Sequence, residues 1–271
     1  MSIRGAINRF SIGLEELCCA LPQSRYRRDM SFTEAASRFP DRNGLYAYVN
    51  HYFYHLLPEP LRAHRRYFSH DQRGFGESAF HAMWWLLLRE FQPRTCLEIG
   101  VYRGQVISLW TLVAKTLDFP CEVHGISPFT PMGDSVSTYR KDLDYLTDTL
   151  GSFKALELQT PTLVRTLSTD RTAVEHIASR EWDLIYIDGS HDFDVVLADY
   201  RICRDYLKAE GLLVMDDASL GTSFRPPGFS FAGHPGPSRV ASEFAMKELV
   251  FVGAVGHNNV FRKAKTKLLI G

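Results

Sequence analysis

Hydrophobic positions follow different spacings along the chain, and the pattern sharpens near residue 75. From Ser78 to Phe91, apolar side chains recur at steps of three and four residues, which predicts an amphipathic helix that Pro93 ends. Beyond that helix, short apolar runs alternate with amphipathic segments, as is typical of a parallel sheet with helices on both faces. The predicted strands are residues 95–99, 122–126, 162–167, 184–187 and 212–215.

Three helices are predicted between these strands. The first begins after Gly104, and the third begins near Phe193 and ends at Gly211. The second is predicted from the spacing of Tyr139, Leu143, Leu146 and Leu150. Residues 248–262 are predicted to form a hairpin that turns at Gly256-His257-Asn258-Asn259. The sequence thus predicts an α/β fold: a Rossmann-like, doubly wound, mostly parallel sheet with a C-terminal antiparallel hairpin.

The first part of the chain has a different character. It is rich in aromatic residues and histidine from Tyr46 to His55 and is interrupted by Pro58 and Pro60, with helical rather than strand spacing. We therefore expect an N-terminal helical cap in residues 1–75 and a main domain in residues 76–271. Aromatic helices of this kind also offer a surface on which two subunits can pair, so a homo-oligomer is a hypothesis.

Charge and cysteine content indicate where the protein functions and which classes of partner are excluded. Basic and acidic residues both number 31, so no global field favours a phosphate backbone and we expect no nucleic-acid partner. An odd number of cysteines without a CxxC pair favours reduced thiols and a cytoplasmic location; they are Cys18, Cys19, Cys96, Cys121 and Cys203. No apolar run approaches membrane-spanning length and no signal-peptide pattern is found, so no membrane association is expected.

The loop after the first predicted strand, Glu98-Ile99-Gly100-Val101-Tyr102-Arg103-Gly104, carries the first chemical signal. Its glycines allow the backbone to approach a ligand closely, and the helix that follows offers free N–H groups. Any strand-to-helix turn can contain such a pair, but its position in the first βα unit favours a cofactor loop. Because Tyr102 lies between the glycines, the Gly-x-Gly-x-x-Gly fingerprint of NAD(P)-binding proteins is absent.

The run Glu-x-Gly-x-Tyr-x-Gly resembles motif I of class I S-adenosylmethionine-dependent methyltransferases, in the form seen in catechol and macrocin-type O-methyltransferases. The resemblance extends over roughly residues 76–262. It implies that Glu98, Gly100, Tyr102 and Gly104 surround the methionine part of the cofactor.

The residues that would contact the ribose and the adenine follow the second and third predicted strands. Methyltransferases of this class usually place an acid at the end of the second strand, yet this strand ends at Ser127 without one. Either Ser127 makes a single hydrogen bond to the ribose in its place, or Asp134 reaches in from the following loop. After the third strand, Ser168 lies where the family often places a serine beside the adenine, although a helix cap explains it equally well.

Three carboxylates follow the fourth and fifth predicted strands. Asp188 follows the fourth strand, where it is also expected near the amino group of the cofactor, and Asp216 and Asp217 follow the fifth. Neighbouring parallel strands bring these acids to one edge of the sheet, where like charges need a cation between them. Oxygen ligands favour Mg²⁺ or a similar divalent cation over zinc, and metal-dependent O-methyltransferases carry acids at these places. The alternative is that one aspartate caps a helix and another faces water.

His191 lies three residues beyond Asp188, where the catechol-type enzymes carry a base. A histidine suits proton abstraction near neutral pH, although an ordinary loop histidine is the alternative. We therefore predict transfer of a methyl group from S-adenosylmethionine to a hydroxyl of a small molecule, such as a sugar or polyphenol of a secondary metabolite. Two other functions remain open: metal-independent methylation of nitrogen or carbon, and S-adenosylmethionine binding without catalysis.

Overall fold

The structure, a computed structural model, describes residues 23–228 and 230–265; Cys18 and Cys19 lie outside these ranges. After a 3₁₀ turn at Ser24–Tyr26, the N-terminal part consists of helices, as its aromatic spacing predicts. They are α1 (Phe32–Arg38), α2 (Arg42–His55) and α3 (Glu59–Ser69), followed by α4 (Ser78–Phe91).

Seven strands form one sheet in the order β3-β2-β1-β4-β5-β7-β6. They are β1 (Thr95–Ile99), β2 (Glu122–Ser127), β3 (Thr162–Arg165), β4 (Trp182–Ile187), β5 (Leu207–Met215), β6 (Val250–Val255) and β7 (Asn258–Arg262). The first five strands are parallel, whereas β7 pairs antiparallel with β5 and β6 pairs antiparallel with β7. The predicted fold class, including the closing hairpin, is confirmed.

Helices connect the parallel strands. They are α5 (Gln105–Leu117), α6 (Tyr145–Ala155), α7 (Arg171–Ala178) and α8 (Phe193–Tyr206). Between β5 and β6, α9 (Pro235–Val240) continues through a π-helical turn at Ala241–Ala245 into α10 (Met246–Glu248).

Two predicted helix boundaries were wrong. Helix α6 begins at Tyr145, because the Asp144 side chain accepts a hydrogen bond from the Thr147 N–H and caps the helix there. Tyr139 therefore lies in the preceding loop. Helix α8 ends at Tyr206, because Leu207 has extended backbone angles and already pairs with β4, so β5 begins before Gly211. The short helix α7 was not predicted.

Side chains from the two faces of the sheet form two hydrophobic clusters. On one face Cys96, Leu184 and Leu212 pack with α4, α5 and the N-terminal helices, and on the other Leu97, Ile185 and Leu213 pack with α7 and α8. Of the apolar positions whose spacing predicts α4, Phe80, Met83, Trp84, Leu87 and Leu88 are buried, whereas Phe91 at the end of the helix is only partly buried. The N-terminal helices thus share a core with the sheet, and the boundary at residue 75 stays a prediction.

The thiols of Cys96, Cys121 and Cys203 are free. The two closest sulfur atoms, those of Cys96 and Cys121, lie 3.4 Å apart. Among the described residues, no helix combines the length and the apolar composition that crossing a bilayer requires.

Four of the loops at the carboxyl edge of the sheet lie beside Asp216 and Asp217. The loops after β1, β4 and β5 meet there because these strands are parallel neighbours. The hairpin turn at Gly256 and His257 joins them, because β7 runs antiparallel to β5 with Asn259 opposite Met215. A residue near the end of the chain therefore lies beside Asp216 and Asp217.

Gly100 is required by the packing of two of these loops. Its φ is +103°, and a Cβ there would lie 1.9 Å from the Asp188 carbonyl oxygen. This glycine thus permits the close approach of the loop after β4, and its predicted approach to a ligand stays a prediction.

Replacing Gly100 with alanine should therefore destabilise the fold itself. We expect the free energy of unfolding in urea to fall by about 3 kcal/mol, from strained backbone and a backbone clash together. The matched control is Gly151→Ala in α6, where an added Cβ meets nothing within 4 Å; it should gain about 0.5 to 1 kcal/mol. Equal stability of the Gly100 variant and the wild type would contradict the packing role.

Candidate active site

Two adjoining cavities open at the carboxyl edge of the sheet. The small cavity has a volume of about 230 Å³ and lies against the ends of β1, β2 and β3. The large cavity has a volume of about 530 Å³ and extends from β1 and β4 to α4 and the loop after β5. Gly100, Tyr102 and Gly189 line both cavities, so one bent ligand or two neighbouring ligands can occupy them together.

Ser127 and Ser168 both line the small cavity, as predicted for residues beside an adenosine. The Ser127 hydroxyl oxygen accepts a hydrogen bond from the Phe129 N–H at 3.4 Å. The Ser168 hydroxyl donates to Asp199 at 3.1 Å. Thr130, which the sequence did not single out, also lines this cavity, and its buried hydroxyl has no hydrogen-bond partner. Thr130 is therefore a further polar group available to a ligand.

Asp134 is already fully engaged within the protein. One carboxylate oxygen accepts hydrogen bonds from the N–H groups of Val136 and Ser137, and the other accepts from the His191 N–H at 2.8 Å and contacts its ring. These bonds, together with the His191 ring, hold the pKa of Asp134 below its usual value although burial opposes this. Asp134 is thus a poor candidate for holding a ribose.

Glu98 borders the large cavity and is 3% exposed. Burial, reinforced by the nearby Asp216, raises its pKa to about 8, although a hydrogen bond from the Ile107 backbone opposes this. Its Oε2 atom has no hydrogen-bond partner. Gly104 lines neither cavity and instead precedes α5 as its N-cap residue, with φ +82°, where a Cβ would lie 2.8 Å from the Thr149 side chain.

The structure brings the three predicted acids to one wall of the large cavity. Burial, with Asp216 and Asp217 close by, raises the pKa of Asp188 well above its usual value. Asp217 has the opposite shift: its pKa is lowered because His191 and His257 bind its carboxylate, which outweighs burial. Asp217 also has a positive φ of 52°, which is uncommon outside glycine and is often found at functional sites.

His257 is the main site residue that the sequence analysis missed. Its Nδ1 atom lies 3.0 Å from Asp216 Oδ1 and 2.9 Å from Asp217 Oδ1. On the other side of the ring, Nε2 lies 3.8 Å from Glu77, which accepts a hydrogen bond from the Tyr46 hydroxyl at 2.6 Å. The available signal was topological, since a hairpin added antiparallel to β5 must place its turn at this edge.

Among the described residues, two compact groups of side chains have a geometry that could hold a metal ion. One is Asp216, Asp217 and His257, and the other is His191, Asp217 and His234. Asp188 belongs to neither group, although it lines the same cavity and its pKa reflects the proximity of Asp216.

His191 lies between two carboxylates. Its Nδ1 atom lies 2.7 Å from Asp134 Oδ2 and its Nε2 atom lies 2.7 Å from Asp217 Oδ2. Burial lowers the pKa of His191, but the two carboxylates outweigh it and raise the pKa to about 9. His191 therefore connects the loop after β2 to the loop after β5, and both of its ring nitrogens are occupied.

Exposed aromatic rings surround the mouth of the large cavity. Phe75 is 67% exposed and Phe231 is 44% exposed, and both line it. The Phe75 ring packs 5.2 Å from Tyr102, and Tyr102 packs 5.7 Å from Tyr139. Exposed apolar rings at a cavity mouth favour an apolar or aromatic ligand there.

Residues 97–218, somewhat less than half of the chain, match a family model described as a methyltransferase domain. No curated protein sequence gives a significant match. Among solved structures, the chain resembles the Podospora anserina methyltransferase PaMTH1 bound to SAH, with a TM-score of 0.56 and 15% identity over 86% of this chain and 96% of that one. It also resembles the O-methyltransferase from Bacillus cereus in complex with SAH, with a TM-score of 0.53 and 13% identity over 80% and 97% of the two chains.

The matched segment and the fold agree with each other. Residues 97–218 match a methyltransferase domain, the fold is similar to that of the two solved methyltransferases, and the predicted resemblance to S-adenosylmethionine-dependent O-methyltransferases is confirmed. The predicted roles of individual residues in the two cavities stay predictions.

Asp199, which accepts a hydrogen bond from Ser168 beside the small cavity, has a pKa whose effect on stability can be measured. Its burial raises its pKa to about 7, although the Ser168 hydrogen bond opposes this. The folded state thus retains a proton that the unfolded state releases above about pH 4, so this contribution to stability is lost as the pH rises from about 4 through about 7.

Asp199→Asn should remove this pH dependence while keeping an acceptor for Ser168. Relative to the variant, we expect the wild type to lose up to about 4 kcal/mol of unfolding free energy between about pH 4 and pH 7. Urea unfolding across this range measures the difference. Asp205→Asn, at an exposed position of the same helix, is the control. Parallel stability curves for the wild type and Asp199→Asn would contradict the raised pKa.

Proposed function

We propose that the protein transfers the methyl group of S-adenosylmethionine to a hydroxyl group of a small molecule. The observation that carries this proposal is the pair of adjoining cavities at the carboxyl edge, one with serines at its wall and the other with a buried carboxylate. Ser127 and Ser168 would contact the adenosine part of the cofactor. The unpartnered Oε2 of Glu98 would accept a hydrogen bond from the amino group of its methionine part.

The residues around the large cavity also fit a divalent cation. The Oδ1 atoms of Asp216 and Asp217 are buried, and both lie within 3.0 Å of His257 Nδ1, so these three side chains form a compact group with the charge and the donor atoms that a cation requires. Together with Asp188, the two aspartates form the metal site that we propose. A divalent cation such as Mg²⁺ bound there would lower the pKa of an acceptor hydroxyl.

His191 is the proton acceptor in this proposal. It lines the large cavity, and Asp134 fixes the orientation of its ring through Nδ1. The two carboxylates keep the His191 ring protonated near neutral pH, so it can accept a proton at Nε2 only after the contact with Asp217 is released and its pKa falls. The protein otherwise contributes alignment of the methyl donor with the acceptor oxygen and exclusion of water.

The cavity mouth favours one class of acceptor. Of the sugars and polyphenols considered from the sequence, a polyphenol matches the exposed rings of Phe75 and Phe231 better, because planar aromatic molecules stack on such rings. We therefore propose a phenolic secondary metabolite as the substrate.

A second candidate is S-adenosylmethionine binding without catalysis. It is favoured by one observation: β2 ends at Ser127 without the carboxylate that usually holds the ribose. Two measurements separate these functions. The first is calorimetric titration with S-adenosylmethionine, with and without Mg²⁺. The second is methyl transfer from the labelled cofactor to a panel of catechols and phenolic glycosides. Cofactor binding without transfer to any acceptor would favour the second candidate, and transfer that persists in excess chelator would favour a metal-independent enzyme.

Asp216→Ala should weaken metal binding and spare cofactor binding. We expect at least a tenfold loss of Mn²⁺ affinity, measured by electron paramagnetic resonance, because the site loses a charged ligand. Affinity for S-adenosylhomocysteine, measured by calorimetry, should change little. The control is Asp205→Ala, which removes an exposed acid from α8. Unchanged Mn²⁺ affinity in the Asp216 variant would argue against the metal site.

His191→Gln should slow the chemical step by roughly 100- to 10,000-fold, as expected for loss of a general base. The defect should shrink as the pH rises, because a phenolic acceptor then ionises without help. Single-turnover methyl transfer to the best acceptor of the panel, followed across pH, measures this. His70→Gln, at an exposed position, is the control. A defect of constant size at every pH would show that His191 has only a structural role.

A further inference from the structure

A histidine from the C-terminal hairpin lies against the proposed metal site. His257 occupies the turn between β6 and β7, and its side chain is 6% exposed. Its Nδ1 atom lies 3.0 Å and 2.9 Å from the Oδ1 atoms of Asp216 and Asp217. Neither the acid pattern in the sequence nor the resemblance to known O-methyltransferases pointed to this residue.

The three atoms form a compact cluster in which His257 Nδ1 lies within ion-pair distance of both carboxylates. His257 Nδ1 and the Oδ1 atoms of Asp216 and Asp217 are all buried, and each is without a hydrogen-bond partner. Two donor atoms that each lie about 2.1 Å from one cation, at right angles, are about 3.0 Å apart. The observed separations therefore have the size expected for ligands that share an ion.

The rest of the ring is held as a metal-binding histidine usually is. Such a histidine presents one nitrogen to the ion while a carboxylate faces the other. Here Nε2 faces Glu77 at 3.8 Å, too far for a hydrogen bond but within range of a charge interaction, and Tyr46 fixes Glu77. The rings of Phe80 and Phe231, each with its centroid 4.7 Å from that of His257, pack against the imidazole.

The other group of potential ligands is less suitable. The His191 Nε2 atom already makes a hydrogen bond with Asp217 Oδ2 at 2.7 Å. His234 is more exposed, with 29% of its side chain accessible, and its Nε2 lies 3.8 Å from the same oxygen. The His191 nitrogen is therefore already hydrogen-bonded, and the His234 nitrogen lies farther from Asp217 than His257 Nδ1 does.

We propose that His257 binds, through Nδ1, the same divalent cation as Asp216 and Asp217. This inference rests on the proposed metal site and changes its character, because the ligands become mixed nitrogen and oxygen instead of oxygen alone. An imidazole ligand favours Mn²⁺, Fe²⁺, Co²⁺ or Zn²⁺ over Mg²⁺. The preferred metal therefore differs from the Mg²⁺ that the acids alone suggest.

Pulsed electron paramagnetic resonance of the full-length protein with Mn²⁺ alone tests the inference directly, because it detects nitrogen bound to the ion and needs no substrate. The wild type should show coupling to a histidine nitrogen, which should change when ¹⁵N-histidine is incorporated. His257→Gln should lose this coupling and bind Mn²⁺ at least about tenfold more weakly. The control, His234→Gln, should retain both the coupling and the affinity.

His257→Asp guards against loss of the fold in the glutamine variant. It replaces the nitrogen ligand with oxygen, so Mn²⁺ should remain bound without nitrogen coupling. The wild type should bind Mn²⁺ at least about tenfold more tightly than Mg²⁺, and this preference should narrow in His257→Asp. Circular dichroism verifies the fold of each variant.

The outcomes separate this inference from the proposed function. Mn²⁺ bound to the wild type without nitrogen coupling, or coupling that survives in His257→Asp, would overturn the role of His257 and leave the metal site intact. Coupling lost in His234→Gln instead would assign the ion to the other group. Absence of Mn²⁺ binding in the wild type would overturn the metal site itself, along with the role of His257.

Discussion

The candidate site depends on the carboxylate of Asp217. One of its oxygens contacts His191, which follows β4, and the other contacts His257 in the C-terminal hairpin. Asp217 itself follows β5, so a single carboxylate joins three segments that are distant in the sequence. These contacts lower the pKa of Asp217 and raise that of His191, and they fix the wall of the large cavity.

The N-terminal helices contribute to the same wall from the other side. Tyr46 in α2 donates a hydrogen bond to Glu77, which faces His257. Phe75, just before α4, lies at the cavity mouth. The segment predicted as a helical cap therefore supplies both an inner support and an outer rim to the site. Its packing against the sheet and its contribution to the site are thus physically linked.

Much of the fold was predictable from the sequence because burial determines local spacing. Strand β1 was predicted with its observed ends, and the hairpin was recognised, since period-two and period-3.6 patterns follow directly from which side chains face the core. Boundaries set by single capping contacts were not predictable. The start of α6 depends on the hydrogen bond from Thr147 to Asp144, which no hydrophobic pattern encodes.

For the site, the acids at strand ends could be located from the sequence, because parallel topology brings Asp188, Asp216 and Asp217 to one edge. Their partners depend on the three-dimensional packing of other segments. His257 reaches them because β7 runs antiparallel to β5, and the Asp134 carboxylate binds the His191 ring. Gly100 allows the Asp188 carbonyl to pack closely against the loop after β1. Such contacts join residues that are far apart in the chain, and the spacing of side chains along the sequence does not predict them.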